Sequence, residues 1–404
     1  MNGIFELRAA SLALHLEQRP ERAVNGAMPG DTWAAPTEAQ VLLLRAGRQI
    51  AALASADLVW FGSDLADSLR MEIAARLGCD MAAVALCATH THGTPNPDPR
   101  FAYGETSKSL VEHIYRRVIE AVEAALKARP EEVEIAFGRA LAPNVAINRR
   151  RRAWTRCGII PLRRTQSLPN HAREIDERIS VLSFRASNGR PKALVSHFAC
   201  HPVADPVTRR GADYPGLLRQ ALKARYGADM VCAFLQGFSG DVRPNLVRTP
   251  AGLKDHLREA VIGPRFRHSA VGDAERIAGA LACAAEQAEL AARPIKFATP
   301  AFRRERLTLK DIDGDPTGRT LDVTLWRLGE DLRVIFGSAE MLSGLATADN
   351  HTLYVGYANG MVGYIASPED SASGGYEIDG FLGRFGLGKR FGPEAAQSFR
   401  ALAW

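Results

Sequence analysis

Five apolar runs in this chain each break off into a side chain that can grip a metal ion or move a proton. Leu86 leads into His90 and His92, Val195 into His201, Phe234 into Asp241, Ile335 into Glu340, and Val355 into Tyr364. Short apolar runs bounded by turn residues read as buried strands. Ligands carried on several strand ends can meet at one edge of a sheet, where the loops form a crevice. The run Met81 to Ala88 is the clearest case, because Gly93 and Pro95 force a loop just after His90 and His92. If the extended geometry persists that far, two histidines one residue apart point to the same face.

The rest of the chain mixes strands and helices. Ala39–Arg45 and Gln49–Ser55 form a hairpin across Gly47, and Ser63 caps a helix from Asp64 to about Arg76, closed by Gly78. Leu110, Ile114, Val118, Val122 and Leu126 recur at helical spacing, which predicts one amphipathic helix over 105–128. A strand over 133–141 follows, then an irregular basic segment from Arg149 to Asn170. Strands at 178–185 and 192–199 flank the turn Ser187-Asn188-Gly189. Helices are expected at 214–226 and 270–290, with a strand at 230–235 between them. Strands then dominate, at 302–309, 321–328, 332–336 and 352–357. The expected fold class is mixed α/β, with mixed sheets packed together and helices outside. Residues 1–404 read as a single domain, without internal repeat or linker.

Composition narrows the function classes. With 46% hydrophobic and 24% charged residues the chain has the make-up of a globular protein with a sizeable core. A net charge of +6 over 404 residues does not by itself point to nucleic acid. No apolar run is long enough to span a bilayer, and the first residues lack the layout of a secretory signal, so the expected location is cytoplasmic. Cys79, Cys87, Cys157, Cys200, Cys232 and Cys283 are scattered without a CxxC pair, which predicts free thiols rather than a cysteine zinc site.

Several short motifs, in order, resemble the catalytic domain of the neutral/alkaline, non-lysosomal ceramidases. They are Thr89-His90-Thr91-His92-Gly93-Thr94-Pro95, Ile147-Asn148-Arg149, Phe198-Ala199-Cys200-His201-Pro202, Gly240-Asp241-Val242-Arg243-Pro244-Asn245, and Gly356-Tyr357-Ala358-Asn359 with Gly363-Tyr364-Ile365. The resemblance implies a zinc-dependent amidase in which His90, His201, Glu340 and Tyr364 hold Zn2+. It also implies that His92 and Arg149 contact substrate, and that Tyr376, in Gly375-Tyr376-Glu377, is a second active-site tyrosine. The family's C-terminal immunoglobulin-like domain has no counterpart in the 404 residues.

Arg243 stands where that family has a serine. A guanidinium stays protonated and cannot be a nucleophile, so the attacking group expected here is metal-activated water. Ser239 is a candidate stand-in, and a Ser-Gly turn explains it equally well. Asp241 reads either as a turn carboxylate or as the partner that orients a histidine. Arg243 and Arg149 offer planar forks for a carboxylate or phosphate. The resulting expectation is hydrolysis of a C–N bond in a small anionic molecule. The alternatives are a zinc hydrolase of an ester, lactone or glycosidic bond, and a metal-binding protein without turnover.

Overall fold

A computed structural model describes residues 4–157, 160–347 and 349–402. Its elements run β1 (Phe5–Ala13), β2 (Glu38–Ala46), β3 (Gln49–Ala56), α1 (Ser63–Leu77), β4 (Val84–Ala88), α2 (Lys108–Lys127), β5 (Glu131–Leu141), β6 (Ala146–Cys157) and β7 (Ile160–Asn170). They continue with β8 (Arg178–Arg185), β9 (Pro191–Phe198), α3 (Asp213–Tyr226), β10 (Val231–Gln236), β11 (Val242–Pro244), α4 (Leu253–Ile262) and α5 (Asp273–Ala291). The C-terminal strands are β12 (Ala301–Lys310), β13 (Pro316–Arg327), β14 (Arg333–Gly337), β15 (Glu340–Met341), β16 (Thr352–Val355) and β17 (Tyr364–Ile365).

The large sheet has the order β10-β9-β8-β5-β1-β2-β3-β4. It is mostly antiparallel, but its two outer pairs, β9/β10 and β3/β4, are parallel. That parallel pairing makes the site: β4, β9 and β10 end near one another and feed their loops into one crevice. A second sheet, β12-β13-β14-β16, packs face to face against the first. Leu42, Leu44 and Val195 meet Trp326, Val334 and Phe336 in the layer between them. On the outer side of the large sheet, Val41 and Leu43 pack with Leu69 of α1 and with Ile114 and Val118 of α2. Val181 and Leu194 pack likewise with Leu218 of α3 and Leu281 of α5. Strand β2 is therefore buried on both faces, which is why it reads as the unbroken run Val41-Leu-Leu-Leu44. The architecture is the expected one, packed mixed sheets flanked by helices.

Local departures have local causes. Met81–Ala83 form a 3-10 turn rather than strand, because the Asp80 carboxylate accepts the Ala82 N–H at 2.7 Å. Gly62, not Ser63, is the cap of α1, and the Ser63 hydroxyl bonds instead to the Met361 carbonyl. The basic segment after Asn148 is not irregular: it is the long hairpin β6–β7, with β11 on the other edge of β6. Its strands carry arginine and polar residues on both faces, so no hydrophobic alternation marks them. The described cysteines are unpaired, as expected; the Cys157 side chain lies outside the described residues. No described helix is long and apolar enough to cross a membrane.

Candidate metal centre

The crevice is built from the backbone outward. Strand β4 ends at Ala88, and two residues later His90 takes φ +66°, so the chain does not stay extended through the motif. This left-handed step, uncommon outside glycine, turns the chain sharply. It brings the two imidazoles together where simple alternation would not: their Nε2 atoms lie 3.3 Å apart. Gly93 lets the loop cross the backbone of Gly211, since a Cβ at 93 would sit 2.6 Å from the Gly211 carbonyl oxygen. Strand β9 delivers His201 by the same logic, three residues past its end.

Each of two imidazoles is held by a backbone carbonyl. His90 Nδ1 donates to Val59 O at 2.7 Å, and His201 Nδ1 lies 2.7 Å from Ser239 O and 3.1 Å from Val242 O. A carbonyl can only accept, so the proton sits on Nδ1 and the Nε2 lone pair faces inward. Glu340, at the start of β15, places Oε2 3.5 Å from His90 Nε2 and 3.2 Å from His201 Nε2. That buried oxygen has no hydrogen-bond donor. The ligand atoms of His90, His92 and His201 lie within 4.8 Å of one another. Burial, and then the nearby Arg149, hold His201 down to about 4, and burial keeps His92 well below the usual imidazole range. Imidazole nitrogens and a carboxylate oxygen thus face one another, with no hydrogen bond made to Glu340 Oε2. A cation suits those facing atoms, and a set of nitrogen and oxygen donors fits a divalent transition metal.

Arginines and tyrosines form the second wall. Tyr364 lies on β17, directly beside Glu340 in the parallel pair β15–β17. Its hydroxyl accepts from Arg149 Nη2 at 3.3 Å, and burial with the Glu340 charge keeps it protonated. Arg149 is the root residue of β6. Its Nε donates to Glu377 Oε1 at 2.7 Å and its Nη2 to Gly240 O at 2.7 Å. Its charge is thus already answered by a buried carboxylate, which also takes Arg150 Nη1 at 2.6 Å. Tyr376 lies across from Tyr364, ring centroids 5.9 Å apart, with its hydroxyl 2.5 Å from that of Tyr103.

Asp241 does not orient a histidine. Its carboxylate accepts from Asn148 Nδ2, from the Ser343 backbone N–H and from the Ser343 hydroxyl, so it ties loops together, while carbonyls two residues before it and one after it hold His201. Ser239 is engaged by Gln236 Nε2 at 2.7 Å and lies 3.2 Å from the Tyr357 hydroxyl. Arg243 lies on β11 with its guanidinium 4.3 Å above the Phe266 ring. Burial and repulsion by Arg149 bring its pKa down to about 10, and its buried Nε has no partner. Residues the sequence reading passed over complete the site: Tyr357 stacks on His90, Glu377 anchors Arg149, and Tyr103 meets Tyr376. Tyr357 and Glu377 sat inside quoted motifs, whereas nothing local marked Tyr103.

No family model and no curated protein sequence matches this chain. Its structure, however, superposes on that of a neutral ceramidase from Pseudomonas aeruginosa with a TM-score of 0.75 at 15% identity, covering 99% of this chain and 73% of that one. A structure described as ceramidase complexed with C2 matches at the same TM-score and identity, covering 99% of this chain and 74% of the other. The motif order read from the sequence and the superposition agree: this chain has the neutral ceramidase fold.

Proposed function

We propose that this protein is a zinc-dependent hydrolase that cleaves the C–N bond of a small amide bearing a carboxylate or phosphate. The observation that carries the reading is the set of inward lone pairs on His90, His201 and Glu340, with His92 beside them and Tyr364 next to the carboxylate. Zn2+ held there would supply a Lewis acid for the carbonyl and bring the pKa of water to about 7.

The chain's own groups supply the rest. His92 Nε2, neutral and half-buried at the mouth, is placed to contact substrate and take a proton from it. The Tyr364 and Tyr376 hydroxyls remain protonated and can donate to charge developing on the carbonyl oxygen or to the leaving amine. Arg149, held by Glu377, fixes the Tyr364 hydroxyl and has little charge left for a ligand. Arg243 differs: no described carboxylate pairs with it, so a substrate anion is its natural counter-charge. The amide bond is taken from what the fold neighbours are named for. Unpaired thiols suit a reducing compartment, and the cytoplasm is the location that goes with this reading.

The test pairs elemental analysis of the purified protein with turnover of N-acyl amino acids and matched neutral amides, before and after chelation. Zinc-dependent release of amine from the anionic set supports the proposal. Turnover that ignores chelation sinks it.

A further inference from the structure

Tyr103 is a phenol in an aromatic enclosure one ring away from the metal centre. It meets Trp60 edge-on with centroids 5.6 Å apart, and Trp60 in turn lies 6.2 Å from His90. Phe385 closes another side at 5.4 Å, and the Arg384 guanidinium lies 5.1 Å above the ring. The loop that carries Tyr103 is held down at two points. Trp60 Nε1 donates to Asn96 Oδ1 at 3.0 Å, and Ala102 N donates to Arg384 O at 2.7 Å. A phenylalanine would fill the enclosure as well. What the hydroxyl adds is one hydrogen bond, with the Tyr376 hydroxyl 2.5 Å away.

Tyr376 is placed as firmly. It opens a single π turn, Tyr376–Gly380, in which Phe381 N donates to the Tyr376 carbonyl at 3.0 Å. Its ring lies 5.9 Å from that of Tyr364 and 5.8 Å from the Arg149 guanidinium. Burial keeps both phenols protonated. Two hydroxyls in contact carry two hydrogens: one lies between the oxygens and one is left over. The side chains around Tyr103 offer that hydrogen no other acceptor, since Trp60 Nε1 and Arg384 only donate and Phe385 does neither. Tyr103 therefore donates to Tyr376 Oη, and the spare hydrogen stays on Tyr376, on the side of Tyr364 and Arg149. Accepting one bond fixes the Tyr376 hydroxyl rotor and makes it the stronger donor.

We propose that Tyr103 is a positioning residue, which aims the Tyr376 hydrogen at the departing nitrogen and steadies the phenolate left behind. The inference rests on the hydrolase reading above and adds a residue to it. As the C–N bond breaks, its electron pair goes to nitrogen, which takes the Tyr376 proton. The water oxygen bonds to the carbonyl carbon. The proton that this water sheds passes to His92 and, through solvent, restores Tyr376. Tyr103 keeps its own proton throughout, and its bond to Tyr376 Oη strengthens as charge develops on that oxygen.

Carbon-13 NMR of protein labelled at the tyrosine Cζ tests the hydrogen bond without turnover. Tyr103→Phe should shift the Tyr376 signal, identified by its loss in Tyr376→Phe; an unmoved signal overturns the proposal. Turnover is then compared on two amides of one acyl group, a butylamide and a p-nitroanilide, whose amine leaves without a proton. Tyr103→Phe should lower kcat on the butylamide by about three- to tenfold, the worth of one hydrogen bond, with KM unchanged. It should leave kcat on the anilide unchanged. Tyr376→Phe should cost the butylamide about a hundredfold, and the double variant should fall no further. Equal losses on both amides, or losses that multiply in the double variant, overturn the proposal and leave Tyr103 a packing side chain. A shifted signal in a protein that turns over no amide rejects the hydrolase reading and the donor role with it, while the phenol pair stands. Phenylalanine keeps the ring contacts, and an unchanged thermal melt shows that the variants fold.

Discussion

Tyr357 lies flat against His90, with ring centroids 3.8 Å apart and planes 26° from parallel. Both residues hold positive φ, +56° and +66°. Backbone strain of that kind persists only where the surroundings fix it. Here the Val59 carbonyl sets the tilt of the His90 ring and Tyr357 sets its face. Tyr357→Ala should therefore weaken metal affinity by about tenfold or more, while Tyr357→Phe keeps most of it. Competition with a chelator of known affinity reads both.

The donor set makes a direct prediction about composition. The purified protein should contain about one zinc per chain, as the converging donors of His90, His201 and Glu340 imply. His90→Ala, His201→Ala and Glu340→Gln should each lower the bound zinc. His92→Ala should cost turnover more than metal. Mass spectrometry of the metal content and amine release measure the two separately, and full metal occupancy in the His90 and His201 variants would refute the assignment.

Arg243 should set substrate charge. Arg243→Ser should raise KM for anionic amides by about ten- to a hundredfold, the loss of a charge-assisted bond worth roughly 1.5–3 kcal/mol. It should leave KM for neutral amides nearly unchanged. Wild-type preference for the neutral lipid amide would count against the anionic substrate.

Glu377 is the carboxylate that Arg149 and Arg150 share, at 2.7 and 2.6 Å. Glu377 and Arg150 are each 2% exposed. Glu377→Gln would leave Arg149 without its paired carboxylate and Arg150 with only that of Asp370, 3.5 Å away, and breaking a buried pair in this way costs about 3–5 kcal/mol. Denaturant unfolding gives the loss directly. Because Arg149 also fixes Tyr364, kcat should fall in any fraction that stays folded.

Acid stability has one traceable contribution. The Arg267 guanidinium, bonded twice at 2.6 Å, and the Ala270 N–H bring Asp273 from 3.8 down to about 2. A carboxyl depressed in the folded state stabilises it above the unfolded pKa, and that stability is lost as pH falls through the folded value. Asp273→Asn should therefore lower the melting temperature at neutral pH, and the gap to wild type should close between pH 3.8 and about 2. A constant gap across that range would place the effect elsewhere.

How much of this was legible follows from what a side-chain pattern can record. Apolar runs ending in His90, His201 and Glu340 were visible because doubly buried strands are continuous in sequence. The face of α2 was visible because one side meets the core and the other water. The β6–β7 hairpin was not, since polar residues on both faces erase the period of two. Helix α4 escaped for the opposite reason, its apolar stripe facing outward over a short span. Asp241 was left open between two readings because the groups that hold His201 are main-chain carbonyls, which no residue type announces. The turn at His90 was hidden too: a non-glycine residue at positive φ is imposed by tertiary contacts.

The donors are widely separated along the chain, and this bears on biosynthesis. His90, His92 and His201 leave the ribosome well before Glu340 and Tyr364 exist, and the short pair β15–β17 that carries the last two is among the later pieces to be synthesised. A half-made chain offers imidazoles without an acid. On the proposed reading, ion uptake would be a closing event in maturation, timed by the last strands and not by the big sheet that precedes them.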